Sequence, residues 1–176
     1  MTNFQTQKAN KPRIHVLADQ LMTSDYKKEF TDFLDYLQQQ KIVFTWYATN
    51  AYALNFRSKR VALMSLDENK FNIFIYTAQR DMFDSYLENQ PQDIVDDFMA
   101  SISIKCNGCT GCSPGKTFAV LGKSFKHVCF GGRGTHGYNF AAPGKNQIET
   151  IKKYVCIRQE YITKMLALGI HPGTAK

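Results

Sequence analysis

The stretch "KRVALMSLDENKFNIFIYTA", residues 59–78, limits the fold more than any other. Two apolar runs rich in β-branched and aromatic residues flank the turn-like "DENK". They read as an antiparallel hairpin. In the second run Phe71, Ile73 and Ile75 share one face, while Asn72, Phe74 and Tyr76 share the other. "KIVFTWYA", residues 41–48, has the same composition and reads as a further strand. One face of such a sheet has to be covered, and the chain supplies two strong amphipathic helices to do it.

The first is expected from Thr23 or Ser24, either a fair N-cap, to about Gln40. Tyr26, Phe30, Phe33, Leu34 and Leu37 recur along it at helical spacing. The second is expected from about Asn146 to Leu168. Ile148, Ile151, Val155, Ile162 and Leu166 mark its buried stripe, and Gly169 is its stop. Shorter elements fill the rest. Ile14–Leu17 reads as a first strand, and residues 80–89 and 91–102 as two short helices. "TFAVLGKSFKHVCF" reads as a second hairpin dividing at Gly122–Lys123, and "GGRGTHGYNFAAPG" as a glycine-rich loop. The expected fold class is α+β: a short antiparallel sheet packed against helices, with a cysteine loop and hairpin at 103–130 before the long C-terminal helix. Residues 1–12 are expected to be a flexible tail and 13–170 a single domain, which suits 176 residues.

No run approaches the length of a membrane span, so no membrane partner is expected. "MTNFQTQKANKPR" is polar and lacks the apolar centre of a secretory signal, so the expected compartment is the cytoplasm. The charge is uneven. Residues 1–102 carry 11 Lys and Arg against 13 Asp and Glu, whereas residues 103–176 carry 11 against 2. The second half is therefore strongly basic. It is suited to an anionic small molecule or nucleic acid, or simply to a solvated surface.

That basic half opens with "KCNGCTGCSPGK", residues 105–116. Three of the five cysteines, Cys106, Cys109 and Cys112, stand at C-x2-C-x2-C spacing, with a glycine before Cys109 and Cys112. In a reducing compartment such a cluster is more often a metal or redox site than a disulfide framework. Thiolates favour zinc, cuprous copper and iron–sulfur clusters. A structural zinc needs a fourth ligand. Cys129 is the best candidate, because it lies on the returning strand of the following hairpin. His127, two residues earlier on the same strand face, is the alternative ligand. Zn2+ is the favoured occupant. A 4Fe-4S cluster is the alternative, although Lys116 stands where a contiguous ferredoxin run would place its fourth cysteine. A third reading is a reversible thiol switch without metal. Only a site left open by one ligand would support catalysis. Cys156 falls about 140° from the stripe of the last helix and reads as an exposed, incidental thiol.

Other signals are weaker. "GRGTHG", Gly132–Gly137, matches G-x-G-x-x-G but no helix opens within it, so a dinucleotide site is not expected. An anion-binding nest helped by Arg133 remains an option. Trp46, Tyr47, Tyr52 and Phe56, followed by Arg57, Lys59 and Arg60, could stack bases, but core and cross-strand packing is the favoured reading. Arg158 breaks the apolar stripe of the last helix. It either snorkels to solvent or reaches a buried acid or an anionic ligand.

The segments "TWYATNAYALNFRSKRVALMSL", "IFIYTAQR", "CNGCTGCSPGK" and "VLGKSFKHVCF" resemble a family of small bacterial cytosolic proteins of uncharacterised activity. The resemblance covers about residues 14–167 and implies that Cys106, Cys109, Cys112 and Cys129 belong together. The first half also resembles the small α/β domains of the YdhG-like and TfoX N-terminal-like kind. Neither likeness implies a reaction. The resulting expectation is a metal-binding, non-enzymatic module that binds or senses a ligand or anion. The alternatives are a redox or electron-transfer protein and a zinc-dependent enzyme with an open metal site.

Overall fold

The computed structural model describes residues 4–76, 87–93, 95–96, 118–125 and 137–170. Three helices come first: α1 (Phe4–Asn10), α2 (Ile14–Leu21) and α3 (Ser24–Gln39). Four strands follow: β1 (Val43–Ala48), β2 (Ala51–Phe56), β3 (Lys59–Asp67) and β4 (Lys70–Tyr76). A small hairpin, β5 (Phe118–Val120) and β6 (Lys123–Phe125), precedes β7 (Gly137–Ala141) and the long helix α4 (Lys145–Ala167). The main sheet is antiparallel throughout, in the order β1-β2-β3-β4-β7. The chain is a single-domain α+β protein. No helix among the described residues is long and apolar enough to cross a membrane.

Strand register puts Tyr52, Leu54, Ala62, Met64, Ile73, Ile75 and Phe140 on one face, all of them buried. Against this set lie Ile14, Leu17 and Ala18 of α2, Phe30, Phe33, Leu34 and Leu37 of α3, and Ile148, Ile151, Tyr154, Val155 and Ile162 of α4. Phe71 on β4 is the ring on which α3 sits: Phe30 and Phe33 centre 4.8 and 5.6 Å away. Such ring pairs are worth about 0.5–1.5 kcal/mol each beyond the area they bury.

The hairpin turns are short and lean on the left-handed region. Asn50 (φ 55°) closes β1–β2, and Asn69 (φ 53°) closes β3–β4. Asparagine tolerates this conformation better than most residues. Both turns also anchor the helices. Gln7 of α1 donates from Nε2 to Asn50 Oδ1 at 2.6 Å, and its Oε1 accepts from the Asn50 N–H at 2.8 Å. Asn69 Oδ1 accepts from the Thr23 N–H at 2.7 Å, and the Asn69 N–H donates to the Leu21 carbonyl at 2.9 Å.

Four expectations change. The segment expected as a tail holds α1, because Gln7 is buried against Asn50 and Phe4 packs on Trp46 at 6.0 Å. Ile14–Leu17 is helical, because the apolar pattern continues at Ala18 and Leu21, a spacing no strand can bury on one face. The last glycine of the "GRGTHG" loop opens strand β7, whose Phe140 is buried 6.2 Å from Tyr154. The β5–β6 turn is Leu121–Gly122, one residue earlier than expected, with both residues at positive φ as a primed two-residue turn needs. The two short helices expected at 80–89 and 91–102 lie largely outside the described residues.

Tyr52 tests this layout. Its hydroxyl donates to the Pro12 carbonyl at 2.8 Å, tying the α1–α2 linker to the sheet. Burial pushes its phenol up to about 12. The fold therefore favours the protonated phenol. Its contribution is whole below the ordinary tyrosine value of about 10 and is lost as pH climbs from there through about 12. Tyr52→Phe should cost about 1 kcal/mol at neutral pH. It should also flatten the alkaline loss of stability, read from denaturant unfolding at stepped pH.

Candidate anion site

The long helix α4 seats its buried stripe on β3 and β4, and Arg158 occupies a position in that stripe. Its side chain is only 3% exposed. An arginine there has five N–H donors and a charge to satisfy. The structure satisfies little of this. Nη2 lies 3.4 Å from the Arg60 carbonyl, beyond the usual range for such a bond. Nε and Nη1 are buried with no partner among the described residues. The guanidinium lies 5.2 Å from the centre of the Tyr161 ring, a cation–π contact from the next turn of α4. Burial pulls the guanidinium below its ordinary range, and the fields of Tyr161 and Tyr76 oppose that pull.

Arg60, which offers the carbonyl, has the same deficit. Its Nε is buried without a partner, and its guanidinium lies 5.1 Å from the centre of the Tyr47 ring. Neither arginine belongs to an ion pair among the described residues. Those pairs are Lys27–Asp19, Lys28–Asp32, Lys70–Asp67 and Lys152–Glu149, all formed elsewhere on the surface. The Arg158 guanidinium thus reaches only the backbone of Arg60 where α4 crosses the start of β3, while the Arg60 side chain turns to Tyr47. Chemically the place calls for negative charge and hydrogen-bond acceptors.

A shallow pocket of about 550 Å3 lies nearby, between the end of α3 and the outer turns of α4. Gln159, Lys41 and Phe56 line it, and Gln159 Nε2 donates to the Gln40 carbonyl at 2.6 Å. Cys156 also lines it, which corrects the expectation of an exposed, incidental thiol. The residue is half-buried, with Sγ 3.2 Å from the Tyr36 hydroxyl. Burial, followed by that contact, pushes the Tyr36 phenol well above its ordinary range. Lys152 Nζ lies 5.0 Å from the centre of the same ring.

Of the candidate site residues named from sequence, Arg158 lies among the described residues, and the reading in which it snorkels to solvent is excluded by its burial. Cys106, Cys109, Cys112, Cys129, His127 and Arg133 lie outside the described residues. Among the described residues, no group of three or more His, Cys, Asp or Glu is arranged to hold a metal ion. The aromatic–basic segment divides. Tyr52 is core, Trp46 and Phe56 are half-buried, and Tyr47 is 53% exposed beneath Arg60. The partnership of Arg60 with Arg158 had no local signal, because the two are 98 residues apart. Comparison with protein-family models, curated proteins and solved structures found no match.

A cation buried without a counter-ion should be a burden to the empty protein. Replacing buried charge by an apolar side chain of similar volume is often neutral or stabilising, by about 1–4 kcal/mol. Arg158→Met should therefore leave the ligand-free protein at least as stable as the parent, measured by thermal unfolding in dilute chloride buffer.

Proposed function

We propose that the chain is a cytoplasmic, non-enzymatic anion-binding module that senses its ligand through the seat of α4. The carrying observation is Arg158: buried in an apolar stripe, with two unpartnered nitrogens and no carboxylate among the described residues to neutralise it. A small anion at that point would claim the free donors of Arg158 and convert a cost into a charge-assisted contact. Because the guanidinium is covered, the anion enters through local opening of the helix seat. Binding then tightens α4 on the sheet, and that tightening is the signal. The basic balance of the second half draws anions toward the region.

The cysteine loop has a separate part in this reading. Zinc held by Cys106, Cys109, Cys112 and Cys129, with His127 as the alternative ligand, would tie the loop to its hairpin. The support is the spacing of these residues and the reducing compartment. A closed site of four protein ligands is structural, in keeping with a module that binds without catalysing.

Two measurements test the halves independently. Low-millimolar phosphate, sulfate or malonate should raise the melting temperature of the parent protein. Saturation at 100 times Kd corresponds to about 2.7 kcal/mol. Arg158→Met should show no such rise, and equal shifts in both proteins would reduce the effect to general salting. For the loop, metal analysis of protein purified under reducing conditions should find one zinc per chain in a colourless solution. A brown solution carrying iron and sulfide would replace zinc with the iron–sulfur alternative.

A further inference from the structure

A second concavity, of about 630 Å3, lies along the free edge of the sheet at β1, and it shares no residue with the Arg158 site. Its size falls within the range of about 300–1,000 Å3 usual for small-molecule pockets. Three parts of the chain form it. The α1–α2 linker and the start of α2 supply Lys11, Arg13 and His15, the end of α3 supplies Gln38, and the edge strand supplies Phe44 and Trp46.

The rim is fixed by contacts between distant residues. The Tyr52 hydroxyl holds the linker through the Pro12 carbonyl at 2.8 Å. Gln38 Nε2 lies 3.0 Å from His15 Nε2, joining α3 to α2 across the other side. The linker itself leaves α1 through Lys11 at positive φ, with the Lys11 N–H donating to the Gln7 carbonyl. The result is a half-open recess with a fixed rim.

Its chemistry is one-sided. One lysine, one arginine and an imidazole border it, and among the described residues no aspartate or glutamate does. Lys11 and Arg13 are exposed and enter no ion pair among the described residues, so both can close on a ligand. Phe44 and Trp46 are half-buried and both line the recess; Phe4 packs on Trp46 at 6.0 Å, and the Trp46 Nε1 is buried. Flat apolar walls select a planar ring, and the acid-free basic rim selects an anionic group on it. We propose that this recess binds a small aromatic anion, one or two fused rings bearing a carboxylate or an equivalent charge. The ring lies against Phe44 and Trp46 and the charge lies between Lys11 and Arg13.

The chain has a single tryptophan, Trp46, and it lines this recess, so its fluorescence responds to occupancy there. The experiment titrates the full chain with naphthoate, using calorimetry for affinity and Trp46 emission for location. Naphthoate should bind saturably and change the emission. The neutral isostere naphthalenemethanol should bind more weakly. The exposed double variant Lys11→Gln/Arg13→Gln should lose about tenfold in affinity for naphthoate. Arg158→Met should bind naphthoate as the parent does, which separates this site from the one proposed on α4. The inference is overturned by the absence of saturable binding, by binding that leaves Trp46 emission unchanged, or by equal affinity for the neutral isostere.

Discussion

Phe71 is the point on which the two layers of this protein are joined. Its ring is fully buried, with Phe30, Phe33 and Tyr26 of α3 centred 4.8, 5.6 and 6.1 Å away. Its carbonyl accepts the Ala142 N–H at 2.9 Å, just where the chain leaves β7 for α4. One residue thus fixes α3 through its side chain and the approach to α4 through its backbone. A buried aromatic contributes on the order of 150–250 Å2 of apolar burial, so the contact has the weight to orient both helices. The strict alternation of β4 follows from it: Phe71, Ile73 and Ile75 must all face the helices, and a one-residue slip would expose all three.

The two ends of the sheet are built differently. At one end the Asn50 and Asn69 turns spend their side chains on α1 and on the α2–α3 junction. The Asn69 amide oxygen takes the Thr23 N–H, and the Asn50 amide oxygen takes the Gln7 side chain. At the opposite end the Arg57–Ser58 turn, with both residues at positive φ, leads into Arg60. There the accounting does not close, because Arg60 and Arg158 both keep buried nitrogens without acceptors among the described residues. Trp46 Nε1 and Tyr26 Oη are also buried without a partner among the described residues, but only the arginines leave charged groups short. Such places are where ligands have most to contribute.

What could be read from sequence follows the reach of each physical signal. Helical spacing at Tyr26, Phe30, Phe33, Leu34 and Leu37 located α3, and the stripe from Ile148 to Ile162 located α4 to within a residue at each end. Both patterns run long enough for periodicity to outweigh local composition. Ile14–Leu17 failed because four apolar residues look alike as strand or helix, and the deciding residues, Ala18 and Leu21, came after the run. Strand β2 went unread inside an aromatic-rich segment, since its turn is Thr49–Asn50 without glycine. Strand β7 was hidden by the glycines before it and the Ala-Ala-Pro-Gly after it. Arg158 was legible as an anomaly because it interrupted an apolar stripe. Its lack of a partner was not, because that depends on what α4 crosses. The edge pocket left no sequence trace, as Arg13, Gln38 and Trp46 are brought together only by the fold.

The charge distribution explains why Arg158 finds no acid on its own helix. The basic half of the chain holds only two carboxylates, Glu149 and Glu160, both on α4. Glu149 is tied to Lys152 at 2.6 Å, and Glu160, two residues beyond Arg158, is exposed on the far side of the helix. The acids of α2, α3 and β3 that form ion pairs are likewise taken by surface lysines: Asp19 by Lys27, Asp32 by Lys28 and Asp67 by Lys70. A purely structural role would be filled better by methionine or leucine, which fit the stripe without desolvating a charge. On the proposed reading a guanidinium there gains something when negative charge arrives from outside. An anion would then complete the α4 interface, and the strength with which α4 is held would become a function of its concentration.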